Sequence, residues 1–190
     1  MYQKVMQAPT RPLLELDGYS LRRLGSADLP FVQELYNSGS NRLLIELPEG
    51  LEAALAFLQQ LEQQPWSLLM VAEHDKTPVG VAATGLTNLV SLNTFLLSMF
   101  QKPDQATLPL ALYVRHMFWN FPLQRMYVQF PILDETESIA TLYESVGFQR
   151  EGAMRQHQAI GGTRHDVAVY GLLREDFDRF WAEKDSRLSL

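Results

Sequence analysis

The stretch from Leu96 to Gly152, with the strand from Leu92 that leads into it, constrains this chain more than any other. It opens with an apolar segment that reads as a strand and ends in Leu96-Leu97-Ser98-Met99-Phe100. A six-residue loop follows, Gln101-Lys102-Pro103-Asp104-Gln105-Ala106. From Thr107 onward, Leu110, Val114, Met117, Phe118 and Phe121 recur on one face of a 3.6-residue period. Thr107 suits the N-cap and Pro109 the first helical turn, where its missing amide costs nothing. A short loop between a strand end and a helix N-terminus collects free amides and the positive end of a helix dipole, so it is suited to an anion. A chain with such a unit at its centre belongs to a mixed α/β architecture.

The flanking patterns agree. Residues 1–17 carry two prolines and little periodicity, which predicts an extended arm. Tyr19–Leu24 alternates as a strand, and Ser26 opens a helix to Asn37 with Leu29, Val32 and Leu35 inward. Leu51, Ala54, Leu55, Leu58 and Leu61 predict a second helix over Pro48–Gln63. Trp66–Ala72 and Val79–Thr84 read as a hairpin around Glu73–Pro78, and Leu86–Leu92 turns into the central strand. After a strand at Arg125–Phe130, Asp134–Val146 is the clearest helix. Asp134 and Glu137 resemble a capping box at its start, and Gly147 sits just past its end. Phe148–Gln158 and Thr163–Leu173 flank Gly161-Gly162 as a long hairpin, and Arg174–Glu183 closes the chain with an amphipathic helix.

Composition narrows the partners. A net charge of -6 argues against nucleic acid, whose phosphates need clustered lysines and arginines. The absence of cysteine removes disulfides, thiolate chemistry and cysteine metal sites, and no metal is expected. No apolar run is long enough to span a bilayer and no N-terminal segment resembles a signal peptide, so the expectation is a cytoplasmic protein without a membrane partner. Neither repeats nor a linker divide the chain, and 190 residues suit one domain.

The order strand, loop, helix, strand, helix, followed by Tyr143-Glu-Ser-Val-Gly-Phe148-Gln-Arg-Glu-Gly152, resembles the acetyl-CoA-binding core of the GCN5-related N-acetyltransferases. Arg155, Gly162, Asp166 and Tyr170-Gly-Leu-Leu173 extend the likeness, which covers about Tyr19 to Phe177 and looks closest to the ribosomal-protein alanine acetyltransferase-like branch. The resemblance implies one α/β (α+β) domain over residues 1–190, with a mixed, mostly antiparallel sheet splayed at its centre and helices on both faces. It further implies that acetyl-CoA, or another acyl-CoA, lies along Leu97, Ser98 and Met99. The coenzyme's path continues over Gln101, Lys102, Asp104, Gln105, Ala106 and Thr107, and passes Glu135 and Ser138. Tyr143 matches the tyrosine that protonates the departing thiolate.

Two positions depart from the family pattern. Its diphosphate loop reads Gln/Arg-x-x-Gly-x-Gly/Ala; Gln101 and Ala106 fit the ends, while Asp104 stands in place of the middle glycine, so the loop is degenerate. A carboxylate about 4 Å from a phosphate is repelled by roughly 1 to 4 kcal/mol, unless Lys102 offsets it. Glu135 takes the place of an Asn that helps seat the pantetheine. The central strand, Leu89 to Phe100, holds no Asp, Glu or His to deprotonate an amine, leaving Glu46, Glu73, His74, His116, His157 and His165, a water relay, or an amine already neutral on arrival.

The implied function is transfer of an acetyl or other acyl group from acyl-CoA to a primary amine, by direct attack in a ternary complex. The acceptor is a small molecule or a protein N-terminus, and the protein acts as a monomer or homodimer. Two alternatives stand beside it. One is a binding or regulatory module that keeps the scaffold without the reaction. The other is acyl transfer from a carrier-protein phosphopantetheine, which lacks the adenosine diphosphate.

Overall fold

The computed structural model describes residues 14–38, 41–43, 56–57 and 60–188. Eight strands form one sheet: β1 (Leu14–Leu16), β2 (Tyr19–Arg23), β3 (Leu69–His74), β4 (Thr77–Asn88), β5 (Asn93–Phe100), β6 (Arg125–Pro131), β7 (Gln149–Ile160) and β8 (Thr163–Leu173). Their order is β1-β2-β3-β4-β5-β6-β8-β7, and β5 with β6 is its one parallel pair among the described residues. The helices are α1 (Leu29–Asn37), α2 (Thr107–Asn120), α3 (Glu137–Val146) and α4 (Arg174–Lys184). The mixed, mostly antiparallel α/β architecture is therefore the expected one.

Side-chain alternation divides the core into two layers. Leu69, Val71, Val81, Ala83, Leu97 and Met99 face α1, whose Leu29, Val32 and Leu35 are buried against them. On the other face Met70, Ala72, Ala82, Leu96 and Phe100 meet Leu110, Val114, Met117 and Phe118 of α2, Tyr143 of α3 and Phe177 of α4. The sheet thus has helices on both faces. Gly80 lets the β4–β5 pair close up, because an added Cβ there would sit 2.1 Å from the Phe100 ring.

Several local expectations are corrected. The β3–β4 turn is only Asp75-Lys76, both at positive φ (48 and 65), with His74 facing Thr77 as in a tight two-residue hairpin. Trp66 does not begin the strand, because its φ of 55 breaks the extended path and β3 starts at Leu69. β4 runs on to Asn88, whose Oδ1 accepts from the Val90 and Ser91 amides to make the turn. Thr107 is the first residue of α2 and not its cap; its hydroxyl is drawn instead to Ser145 Oγ, 2.7 Å away on α3. Asp134 opens a 3-10 turn, not the α-helix. The start of α3 is held by Thr136, whose Oγ1 accepts from the Leu133 amide (3.1 Å) and donates to the Pro131 carbonyl (2.7 Å). Gly147 ends α3 at φ 107, as its position implied.

Of the predicted N-terminal arm, residues 14–16 form edge strand β1 and residues 1–13 lie outside the described set. The helix predicted over Pro48–Gln63 falls largely outside it as well; residues 56–57 and 60–62 are helical.

Candidate active site

β5 and β6 pair only at Asn93, Thr94 and Phe95 with Arg125, Met126 and Tyr127. β6 continues along β8 as far as Pro131, and β5 continues along β4 as far as Phe100. The two strands therefore part after Phe95, and Leu96–Phe100 line one side of the gap with backbone that β6 does not use. This is the splay that the resemblance implied.

Ser98 and Tyr143 meet across this region. Ser98 shares the β5 face of Leu96 and Phe100, while Leu97 and Met99 turn to the α1 layer. Tyr143 reaches it from the inward face of α3, with Ser98 Oγ and Tyr143 Oη 2.9 Å apart. The phenol ring stacks on Phe130 (centroids 6.0 Å apart) and meets Phe148 edge-on at 5.2 Å. Burial pushes the phenol up to about 12, against which the Ser98 hydrogen bond works only partly. The group is therefore a neutral proton carrier throughout the physiological range. The end of β5 is tied to α1 by a residue that sequence reasoning passed over. Asn41 donates from Nδ2 to the carbonyls of Leu35 (2.9 Å) and Phe100 (3.2 Å). Its only sequence signal is a polar residue ending a loop.

The loop after β5 folds as a 3-10 turn over Pro103–Gln105. Its amides are largely engaged. Gln101 donates to the Val79 carbonyl, Gln105 to that of Lys102 and Ala106 to that of Pro103, at 3.0, 3.1 and 3.1 Å. Pro103 has no N–H to offer. Outside this loop lies an open cleft of about 640 Å³, lined by Pro103, Asp104, Thr107, Asp134, Glu137, Ser138, Thr141, Leu142 and Ser145. Asp104, Thr107 and Ser138 are thus brought together in one cleft. Glu135 is exposed on the 3-10 turn and absent from the lining, where Asp134 and Glu137, read from the sequence only as a helix start, stand instead. Lys102, Gln101 and Gln105 line a separate hollow of about 170 Å³ with Tyr19, His74, Val79 and Phe100. Lys102 does not join Asp104 in the larger cleft.

The sequence-derived base candidates are scattered. Glu73 accepts from Arg22 Nε at 2.8 Å in a network that also holds Asp28 through Arg22 Nη1 at 2.7 Å. His74 stacks on Tyr19 with centroids 4.4 Å apart. Burial, then Arg23 and Arg115, lower the His116 pKa and keep it neutral, and Asn120 Nδ2 lies 3.2 Å from its Nδ1. His157 and His165 lie on the β7–β8 hairpin, where Asp166 accepts from the Gln156 amide at 2.8 Å as a turn partner. Glu46 lies outside the described residues.

The splayed parallel pair, flanking helices and strand order are those of the GCN5-related N-acetyltransferase fold. The solved structure of spermidine N-acetyltransferase from Vibrio cholerae in complex with CoA and spermine superposes with a TM-score of 0.74 at 20% identity, covering 85% of this chain and 99% of that one. A second solved structure, known only as a candidate acetyltransferase, gives 0.69 at 22% identity over 92% and 94% of the two chains. At these identities the likeness concerns the fold. No protein-family model matches the sequence, and no curated protein does. No helix among the described residues is long and apolar enough to cross a membrane.

Proposed function

We propose that this protein transfers an acyl group from a pantetheine thioester, such as acetyl-CoA, to a primary amine. The observation that carries this reading is the pair Ser98–Tyr143, set on the stretch of β5 that has left β6. A pantetheine arm suits such a gap, since its amides can complete the unused backbone edge between Leu96 and Phe100 as an added strand would. The amine nitrogen attacks the thioester carbonyl carbon, the C–S bond breaks, and the sulfur takes a proton. Tyr143 supplies that proton: Ser98 can donate to its oxygen, leaving the phenol hydrogen free to turn into the gap. A phenol held near 12 by burial stays protonated until the thiolate forms beside it. The amine arrives neutral or loses its ammonium proton to water; the proton that its nitrogen sheds on becoming the amide also passes to water, and Tyr143 regains its own from solvent, since β5 contributes no carboxylate or imidazole.

The acceptor classes in keeping with this reading are a polyamine, as in the solved spermidine acetyltransferase, and a protein N-terminus, as in the ribosomal-protein acetyltransferase branch. The same reading treats residues 1–190 as one domain, because every described strand belongs to one sheet. The test is thiol release from acetyl-CoA and from S-acetyl-pantetheine in the presence of spermidine or an N-terminal peptide. Release that is lost in a folded Tyr143→Phe variant is the expected result. No release from either donor with any amine would sink the reading.

A second reading is a binding or regulatory scaffold without the reaction. It draws on the loop over Gln101–Ala106, which leaves few amides for a diphosphate, and on the carboxylates beside it. In that case the same assay stays silent while the protein remains folded.

A further inference from the structure

Coenzyme A fits this molecule at one end and not at the other. Its neutral arm suits the opening beside Ser98, while its diphosphate would have to approach the cleft between the N-terminus of α2 and the face of α3 that runs from Glu137 to Ser145. We infer that this cleft repels the diphosphate, so that the donor is a thioester held by its uncharged pantetheine arm alone. The donor's identity as a thioester rests on the acyl-transfer reading above; the repulsion rests on the cleft itself.

Three features combine. The charges are of the wrong sign: Asp104, Asp134 and Glu137 line the cleft, and among the described residues no lysine, arginine or histidine does, Lys184 coming only as near as the Ser145 carbonyl, 3.2 Å from its Nζ. The one nearby cation of the loop, Lys102, lines the hollow beside His74 and Tyr19 instead. Part of the loop's donor set is withdrawn: the Gln101, Gln105 and Ala106 amides are bonded within the protein, Pro103 has none, and the Thr107 hydroxyl is bonded to Ser145. What remains attractive is the N-terminus of each helix, worth about half a positive charge, and the two lie at opposite ends of the cleft because Thr107 meets the last turn of α3 at Ser145. About half a unit of positive charge therefore stands beside Asp104 at one end of the cleft, and about half a unit beside Asp134 and Glu137 at the other. The acids at the start of α3 also favour that helix through its dipole, so their placement serves folding as well as exclusion.

The sign of the salt dependence separates this arrangement from a phosphate-binding one. Screening weakens attraction and repulsion alike, so a cleft that holds a diphosphate loses affinity as salt rises, whereas a repelling cleft gains it. The experiment is equilibrium binding of acetyl-CoA and of S-acetyl-pantetheine to the whole chain and to an Asp104→Asn/Glu137→Gln variant, at ionic strengths from about 20 to about 300 mM. The wild type should bind acetyl-CoA no more tightly than S-acetyl-pantetheine. Its acetyl-CoA affinity should rise about threefold to tenfold across that salt range. The double variant should gain about tenfold or more for acetyl-CoA at low salt and nothing for S-acetyl-pantetheine. Both substituted side chains are exposed, so the variant should keep its thermal midpoint within a few degrees. Tighter binding of acetyl-CoA than of the arm, with affinity falling as salt rises, would overturn the inference, as would a double variant that gains nothing. If S-acetyl-pantetheine is bound and consumed while the charge variant behaves as wild type, the inference fails and the acyl-transfer reading stands. If neither ligand binds to either protein, both fail.

Discussion

The two ends of the gap between β5 and β6 are built on opposite principles. Around Ser98 and Tyr143 the groups are buried, the aromatic rings of Phe130 and Phe148 pack the phenol, and each hydroxyl satisfies the other. Around Asp104 the surface is open, the carboxylates face water and the Gln105 and Ala106 amides turn back onto the loop's own carbonyls. Substitutions at the first end should change folding and chemistry together, and at the second end ligand affinity alone. The difference teaches that a fold can keep the buried half of a site intact while its exposed half drifts, because only the buried half is also core.

The largest effect expected from this contrast is at Tyr143. Tyr143→Ala should lose about 3–5 kcal/mol of unfolding free energy by urea titration, since it leaves a cavity among packed aromatics. Tyr143→Phe keeps the ring and should lose only about 1 kcal/mol, with Ser98 left partly unsatisfied. It should nevertheless lower thiol release by about 10²–10⁴-fold. Equal losses of stability in the two variants would erase the distinction between core and chemistry at this end.

The frame that carries Tyr143 comes next. Gly147→Ala places a side chain at φ 107 and 3.3 Å from Phe180, and should lose about 1–2 kcal/mol. Thr136→Ala removes the hydroxyl that ties Leu133 to Pro131 and should lose about 1 kcal/mol. Both are read by the same urea titration, and both should lower turnover by misaligning α3.

A pH titration sharpens the comparison further. The Tyr143 phenol is raised from its ordinary value of 10.0 to about 12 in the folded protein, so the folded state holds its proton longer than the unfolded chain. The stability it confers is fully present below about pH 10 and is lost as pH rises through about 12. Tyr113, buried with its hydroxyl on the Leu68 carbonyl, is pushed up by the same cause and adds to the trend. Unfolding free energy should therefore fall over this alkaline window, and less so in Tyr143→Phe. A variant curve that overlays wild type would contradict the assigned burial.

The smallest effect belongs to the open end. Asp104→Asn should leave unfolding free energy within about 0.5 kcal/mol of wild type. A larger loss would mean that Asp104 holds the loop together, and that its charge serves folding instead of exclusion.

Much of the fold was readable because each element carries its own local physics. The 3.6-residue repeat from Leu110 to Phe118, the glycine at 147 and the Gly161-Gly162 turn state where helices run and where the chain reverses. Tyr143 and Asp104 were readable in position through the resemblance of their surroundings. The boundaries that missed did so through competition for a hydroxyl, long-range in one case and local in the other. Thr107 would cap its helix were Ser145 not within reach, and Thr136 outcompetes Asp134 because its hydroxyl can bridge two backbone groups. Likewise, no local pattern announces that Asn41 closes the end of β5 from a loop 59 residues away.

The sequence by itself determined the order of strands and helices, the strand–loop–helix unit at the centre and the absence of a titratable group on β5. These depend on periodicity, turn chemistry and composition, which act over a few residues. Only the tertiary structure decided that Ser98 meets Tyr143, that Lys102 and Asp104 line different hollows, and that Asp134 and Glu137 replace Glu135 beside the loop. Those outcomes turn on which face of the sheet or loop each side chain takes once the strands have parted. That choice is set by packing across the whole sheet, between residues far apart in the chain.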